Sequence, residues 1–186
     1  MSRLVLASRS PQRRAILEQL DVDFSVQVPD VEELEAGPPH EVALENAFRK
    51  ASAVASGADD GVPVLGVDTV VALGVHLYGK PADAEDARAT LTALAGRRHA
   101  VVSGICLIED GRSRTAAAQT AVEFRALPDG LIDWYVASEE WRGRAGGYAI
   151  QGRGAALVAA IEGDYLNVVG LPVATLLELA PGLLVQ

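Results

Sequence analysis

The chain has 186 residues, with 16 Lys and Arg against 25 Asp and Glu, so its formal net charge is -9. This acidity argues against broad nucleic-acid binding, which depends on cationic side chains that neutralise phosphates. At 49% hydrophobic and 22% charged residues, the composition is that of a globular protein and excludes a disordered one. A small phosphorylated ligand remains compatible, because a local cationic pocket or a bound metal ion can neutralise it. We expect a single domain over residues 1–186.

The predicted elements begin with a short buried strand at residues 3–7, which Arg9 soon follows. The apolar run is too short for a signal peptide or a membrane span, so we expect a cytoplasmic protein without membrane association. Further along, Cys106 lies in an apolar run. We expect it to be buried rather than reactive, and a single cysteine excludes an intrachain disulfide.

The rest of the first half alternates between helices and strands. In chain order we predict a helix at 11–20 capped by Ser10, a strand at 23–28, an acidic loop at 30–35, a helix at 40–56 and a strand at 62–73. The last strand has no polar side chains apart from Asp68 and Thr69, which is typical of a strand buried on both faces. We therefore expect it at the centre of the sheet.

The second half continues the mixed α/β pattern without an internal repeat. We predict a helix at 84–95 capped by Asp83, a hairpin of strands 100–108 and 114–124, a helix led by Pro128, a glycine-rich segment at 143–154, a strand at 155–161 and a helix after Pro172. Helices interleaved with strands favour an α/β fold.

The first polar segment is Ala-Ser-Arg-Ser-Pro-Gln-Arg-Arg at residues 7–14. Here two hydroxyls and several guanidinium groups crowd the start of a helix. Free backbone N–H groups at a helix N-terminus attract phosphate, and arginine adds bidentate donors. An ordinary helix start with exposed arginines would have the same appearance.

Asp68 and Thr69 form the second candidate site. An ionised aspartate within an apolar strand needs a cation, a metal ion or hydrogen-bond donors nearby. A strand-end aspartate that caps a neighbouring turn is the alternative.

The remaining candidates are weak when each is judged alone. Lys50 on a helix and Glu33 in the acidic loop read as solvated charges, whereas the Gly79-Lys80-Pro81 connection fixes the direction of its lysine. The glycines of residues 145–152 would let a backbone approach a ligand closely, but a flexible loop fits equally well. The histidines lack metal-ligand spacing, and no Walker-type phosphate loop or Gly-x-Gly-x-x-Gly pattern occurs.

Taken together and in this order, these segments resemble the Maf family of nucleoside triphosphate pyrophosphatases over essentially the whole chain. The family pattern runs from LAS-x-S-P-x-R through an acidic loop, Lys-Ala, G-x-D-T-V-V, G-K-P and A-G-x-Y-x-I-Q-G to N-V-V-G-L-P. The matching segments are residues 6–13, 32–33, 50–51, 66–71, 79–81, 145–152 and 167–172.

The resemblance implies a two-lobed α/β fold with a curved mixed β-sheet flanked by helices, a central cleft and a homodimer. It implies hydrolysis of nucleoside triphosphates to a monophosphate and pyrophosphate, with Mg²⁺ or Mn²⁺. The implied catalytic residues are Asp68 as general base, Glu33, Lys50 and Lys80, with Asp68 and Glu33 as metal ligands, and the implied phosphate loop contains Ser8, Ser10 and Arg13. Which carboxylate binds metal and which accepts the proton stays open.

Substrate preference is implied by three positions. Thr69 and Gln151 are similar to the branch of the family that prefers UTP and dTTP, and they differ from the branch that acts on 7-methyl-GTP. Gln12 departs from the first branch, which has an arginine there, and an amide does not replace a fixed cation. We expect pyrimidine triphosphates or a broad range of substrates.

Two other functions are compatible with the same resemblance. The protein could bind nucleotides to regulate cell division or septum formation, although such a binder could dispense with the carboxylates. It could also be a house-cleaning enzyme that removes modified nucleotides by the same chemistry.

Overall fold

A mixed sheet forms the centre of the computed structural model, which describes residues 4–57 and 61–185. Within these residues the strands are β1 Leu4–Ala7, β2 Phe24–Val26, β3 Val64–Leu73, β4 His76–Tyr78, β5 Arg98–Glu109, β6 Arg112–Phe124 and β7 Val158–Glu162. Their order is β2-β1-β3-β5-β6-β7, with β4 pairing to β3. Strand β1 runs parallel to β2 and β3, and the other pairs are antiparallel. The predicted mixed sheet, with β3 in its interior, is confirmed.

Helices flank this sheet. They are α1 Pro11–Gln19, α2 Pro39–Ala55, α3 Ala84–Leu94, α4 Asp129–Ala137, α5 Tyr165–Val169 and α6 Val173–Leu179. Ser10 and Asp83 cap α1 and α3 as predicted, each accepting a backbone N–H with its side chain. Among the described residues no helix combines the length and apolarity needed to cross a membrane.

The structure differs from the prediction in the last strand and in two short elements. The predicted strand at 155–161 begins only at Val158, because residues Arg153–Leu157 form a 3₁₀ turn. Strand β4 and helix α5 were not predicted, since runs of three and five residues are too short to show a periodic pattern. The predicted first strand included Arg3, which lies outside the described residues.

Helix α2 lies unusually close to the sheet. A Cβ atom at Gly66 of β3 would collide with the backbone carbonyl oxygen of Ala47, and one at Gly104 of β5 would collide with that of Ala43. Because glycine leaves this space empty, the helix backbone rests directly on the two strands. Polar side chains of α2 can therefore reach the middle of β3.

The middle of β3 is also where strand pairing changes. On its outer side β3 pairs with β1 up to Gly66 and with β4 from Val71. The apolar core divides at the same place: Leu65 and Val67 pack with residues of β1, α1 and α6, whereas Val71 packs with residues of α3 and α4. Asp68 and Thr69 thus lie between two packed halves, just beyond the carboxyl end of β1. Open α/β sheets commonly bind ligands at carboxyl ends of strands.

Candidate active site

Asp68 faces helix α2. Its position two residues after Gly66 puts both residues on the same face of the strand. Lys50 Nζ donates a hydrogen bond of 2.6 Å to Asp68 Oδ1 and lies 3.0 Å from Glu33 Oε2. Asp68 is 5% exposed and Lys50 6% exposed. The lysine that reads as a solvated charge in sequence is therefore a buried cation between two carboxylates.

The environment of Asp68 keeps it ionised. Burial alone would raise the pKa of its carboxyl group, but the Lys50 ammonium, the Arg13 guanidinium and the Asn46 amide lower it, and the net pKa lies below its ordinary value. Opposite charges and donors that favour the anion outweigh desolvation here. A buried carboxylate that is anionic at neutral pH is the central feature of the site.

Arg13, at the start of α1, connects the preceding turn to β3 and to the segment that ends at Gly170. Its Nη1 donates to Ser8 Oγ at 3.0 Å, its Nη2 to Thr69 Oγ1 at 3.1 Å, and its Nε to the Gly170 carbonyl at 2.9 Å. Burial lowers the pKa of Arg13, while the charges of Asp68 and Glu33 oppose that effect. Three of the five guanidinium N–H groups are thus engaged, which leaves two for another acceptor.

Serines shape the turn that precedes α1. Ser8 Oγ accepts the Ser10 N–H at 3.1 Å, and Ser10 Oγ, the helix cap, donates to Gln12 Oε1 at 3.1 Å. Thr69 lies on the opposite face of β3 from Asp68, where its Oγ1 is 2.8 Å from Ser103 Oγ. The structure therefore brings most of the sequence-predicted residues into a network of two bonded groups, which are coupled by the charges of Arg13, Asp68 and Glu33. One group contains Ser8, Ser10, Gln12, Arg13 and Thr69, and the other contains Glu33, Lys50 and Asp68.

Two predicted residues remain outside this network. Lys80 and Gln151 are exposed, and no hydrogen bond or ion pair joins either side chain to another described residue. Their loops are nevertheless fixed, because the Gly146 N–H donates to the Gly79 carbonyl at 3.0 Å. A Cβ at Gly147 would lie 3.0 Å from Pro81 Cγ. The Gly-Lys-Pro connection and the glycine-rich loop consequently pack against each other.

The sequence profile of the family described as "Maf-like protein" matches residues 3–182. The chain belongs to the Maf family. A relative from Pyrococcus furiosus named "dTTP/UTP pyrophosphatase" is 43% identical over 96% of this chain and 94% of its own length. A Myxococcus xanthus protein of the same name is 48% identical over 91% of this chain and 86% of its own length.

A solved structure, that of the Staphylococcus aureus Ham1 protein, superposes with a TM-score of 0.47 at 20% identity. It covers 66% of this chain and 71% of that chain. Because this structural match is partial, the family assignment rests on the sequence profile and the two relatives.

Asn46 is a residue of this Maf-family site that sequence reasoning missed. Its Nδ2 donates to Asp68 Oδ2 at 3.1 Å and to the Leu34 carbonyl at 3.0 Å, and its Oδ1 accepts the Leu34 N–H at 2.7 Å. The available signal was an amide one helical turn before Lys50, on a face of α2 that is apolar apart from these two residues. Its own hydrogen bonds explain why a polar group can be buried there.

Glu140 is the second residue of this Maf-family protein whose role was not found from the sequence. Its two carboxylate oxygens accept the N–H groups of Arg153 and Gly154 at 3.0 and 2.9 Å. These bonds fix the segment that follows Gln151. In sequence, Glu139 and Glu140 read as a pair of surface charges, so the pattern gave no signal for this role.

The carboxylates of the Maf-family site fit a divalent cation only in part. Within the described residues, no three His, Cys, Asp or Glu side chains are grouped so as to hold a metal ion. Mg²⁺, however, is commonly bound by one or two carboxylates, with substrate phosphates and water supplying the other ligands. Asp68 and Glu33 already share one cation, the Lys50 ammonium. They form a suitable donor pair for a cation that arrives with a phosphorylated substrate.

Proposed function

We propose that this protein hydrolyses nucleoside triphosphates between the α- and β-phosphates and releases a nucleoside monophosphate and pyrophosphate. The observation that carries the proposal is the buried, ionised carboxylate of Asp68, held by Lys50 beside the polar start of α1. The names of the relatives support this reaction for the family to which the chain belongs.

The reaction requires in-line attack of water on the α-phosphorus while charge spreads onto the departing pyrophosphate. We assign the activation of that water to Asp68. A carboxylate has about four acceptor positions, and the bonds from Lys50 and Asn46 occupy two of them. Asp68 can therefore accept a proton from water without giving up the bonds that hold it in place.

We assign neutralisation of the negative charge of the phosphates to the cationic side chains around Asp68. An ammonium group has three donors, and Lys50 uses two of them on Asp68 and Glu33, so one remains for a phosphate oxygen. Arg13 contributes its two free N–H groups, and Lys80 is exposed and without a described partner. Ser8 and Ser10 hold the turn at the helix N-terminus, where backbone N–H groups favour an anion.

A divalent cation, Mg²⁺ or Mn²⁺, is part of the proposal, with Asp68 and Glu33 as its protein ligands. When bound, such an ion would offset phosphate charge and polarise a phosphoryl oxygen. Glu33, whose side chain is 40% exposed, is the more accessible of the two ligands.

For substrates, we propose dTTP, UTP or modified forms of these nucleotides. Support comes from Thr69 and Gln151 and from the names of the relatives. Gln12 lacks the charge of an arginine, and its amide oxygen is engaged by Ser10. We therefore assign Gln12 to the shape of the phosphate turn rather than to recognition of the base.

The test is product analysis with a panel of unmodified and modified triphosphates, including 7-methyl-GTP, with Mg²⁺, with Mn²⁺ or with a chelator. The proposal predicts metal-dependent release of monophosphate and pyrophosphate, fastest with pyrimidine nucleotides. Release of diphosphate and orthophosphate would contradict the reaction. A clear preference for 7-methyl-GTP would contradict the substrate assignment alone.

A further inference from the structure

Asn46 connects the acidic loop to the carboxylate at the centre of the site. Its side-chain amide forms two hydrogen bonds with the backbone of Leu34, one to the N–H and one to the C=O, in the manner of a neighbouring strand. Through its remaining amide hydrogen, Asn46 Nδ2 donates to Asp68 Oδ2 at a distance of 3.1 Å. At 1% exposure the group is removed from water, so its bonds face no competition from solvent.

The acidic loop depends on such bonds for its position. Residues 27–38 contain no helix or strand, and most of them are exposed. Helix α2 holds the loop at three successive residues: Arg49 donates to the Glu32 carbonyl at 3.1 Å, Lys50 pairs with Glu33, and Asn46 holds Leu34. The arginine contact is exposed and the Glu33 side chain is partly exposed, so the buried amide is the strongest constraint.

We propose that Asn46 is a positioning residue that fixes Glu33 and Asp68 relative to each other and thereby sets the rate of the hydrolysis. Glu33 directly precedes Leu34, so the backbone that Asn46 holds is the backbone that carries the Glu33 carboxylate. The same amide restrains the Asp68 carboxylate. This inference rests on the proposed function, since it takes these two carboxylates as the reacting pair.

The chemistry of the amide allows the role to be tested. Leucine has the same branched arrangement of four side-chain heavy atoms as asparagine but can form none of the three bonds. Asn46→Asp would keep an acceptor for the Leu34 N–H, lose both donors, and place a second negative charge beside Asp68. Asn46→Asp therefore tests the donor bonds if Asn46→Leu does not fold.

The experiment measures kcat and KM for UTP and hydrogen exchange at the Leu34 amide in the unliganded protein. For Asn46→Leu we expect kcat to fall about 10- to 100-fold, as is typical when a group supporting metal-binding carboxylates is lost. KM should change much less, and hydrogen exchange at the Leu34 amide should become faster.

For Asn46→Asp we expect a similar fall in kcat with a smaller loss of protection of the Leu34 amide from exchange. Val54→Ala, a buried apolar truncation in the same helix, should reduce stability while leaving kcat and Leu34 exchange unchanged.

A double-mutant cycle with Glu33→Gln separates positioning from general destabilisation. If Asn46 acts through Glu33, Asn46→Leu should cost much less in kcat once Glu33 has been replaced. Additive effects, or wild-type kcat in Asn46→Leu and Asn46→Asp, would overturn the inference even if the wild type hydrolyses UTP as proposed. A wild type that does not form monophosphate and pyrophosphate would instead refute the proposed function, while the exchange of Leu34 would still report whether Asn46 holds the loop.

Discussion

At the scale of single residues, Asp68 shows how a costly group is maintained in a strand. Burial disfavours its charged form, but the ammonium of Lys50 and the amide of Asn46 replace the lost water. Removing one partner of a buried pair leaves an uncompensated charge, which usually costs more than the pair contributes. The site is therefore sensitive to changes of charge at either position.

Asp68→Asn should lower kcat by about 10²- to 10⁴-fold, the usual contribution of a general base. The amide keeps the size of the side chain but cannot accept the proton of the attacking water. Steady-state kinetics at saturating metal measure the effect. Asp30→Asn, an exposed acidic residue of the loop before Glu33, is the matched control and should keep wild-type turnover. Wild-type kcat in Asp68→Asn would show that another group activates the water.

How far sequence could predict these residues depends on how unusual each one is in its setting. Asp68 was predictable because a carboxylate in an apolar strand demands a partner. Lys50, Asn46 and Glu140 are ordinary residues of helices and surface turns, and their roles depend on which distant segments fold against them. Lys50 was found only through the family resemblance, and the other two were not found at all.

At the scale of elements, the close approach of α2 to β3 and β5 determines which side chains can meet. Two glycines permit this approach, and the helix in turn presents Asn46 and Lys50 to Asp68. Sequence predicted both elements to within a few residues, since the helix has a clear apolar repeat and β3 is apolar. It could not predict their separation, because a glycine within a strand has several possible causes.

Gly66→Ala should disturb stability and catalysis together. The new Cβ would collide with the Ala47 carbonyl and push α2 away from β3, which we expect to cost about 1–3 kcal/mol or more of unfolding free energy. The shift would also carry Asn46 and Lys50 away from Asp68, so kcat should fall. Urea denaturation and steady-state kinetics measure the two effects.

The matched control for that change is Gly130→Ala in α4, where no heavy atom lies within 4 Å of the added Cβ. Alanine should be neutral there or stabilise the helix by up to about 1 kcal/mol. If Gly66→Ala behaved like Gly130→Ala, the close contact between α2 and the sheet would not exist in solution.

At the scale of the whole molecule, the mixed sheet and its flanking helices were predictable from alternating patterns, and the two halves of the core meet at the polar middle of β3. A buried histidine in the second half, His99, lies outside the candidate site. His99 is 3% exposed, its Nε2 is 2.9 Å from the Tyr148 hydroxyl, and burial lowers its pKa to about 4. This pair ties β5 to the glycine-rich loop. The single domain, the homodimer and the cytoplasmic location stay predictions.

His99 should make the stability of the whole molecule depend on pH. A histidine in the unfolded chain has a pKa of about 6.5, whereas that of folded His99 is about 4. As the pH falls between these values, the unfolded state gains a proton that the folded state does not, so the free energy of unfolding decreases. Urea denaturation across this range should show a shallower decrease in His99→Gln than in the wild type. His76→Gln, at an exposed histidine, should retain the wild-type slope, and an equal slope in His99→Gln would refute this account.

The most direct test of the central claim is hydrolysis of UTP in water enriched in ¹⁸O, followed by mass spectrometry of both products. Attack on the α-phosphorus, with Asp68 activating the water, predicts one ¹⁸O atom in UMP and none in pyrophosphate. Label in pyrophosphate would mean that water attacks the β-phosphorus, and the proposed geometry of the site would then be wrong.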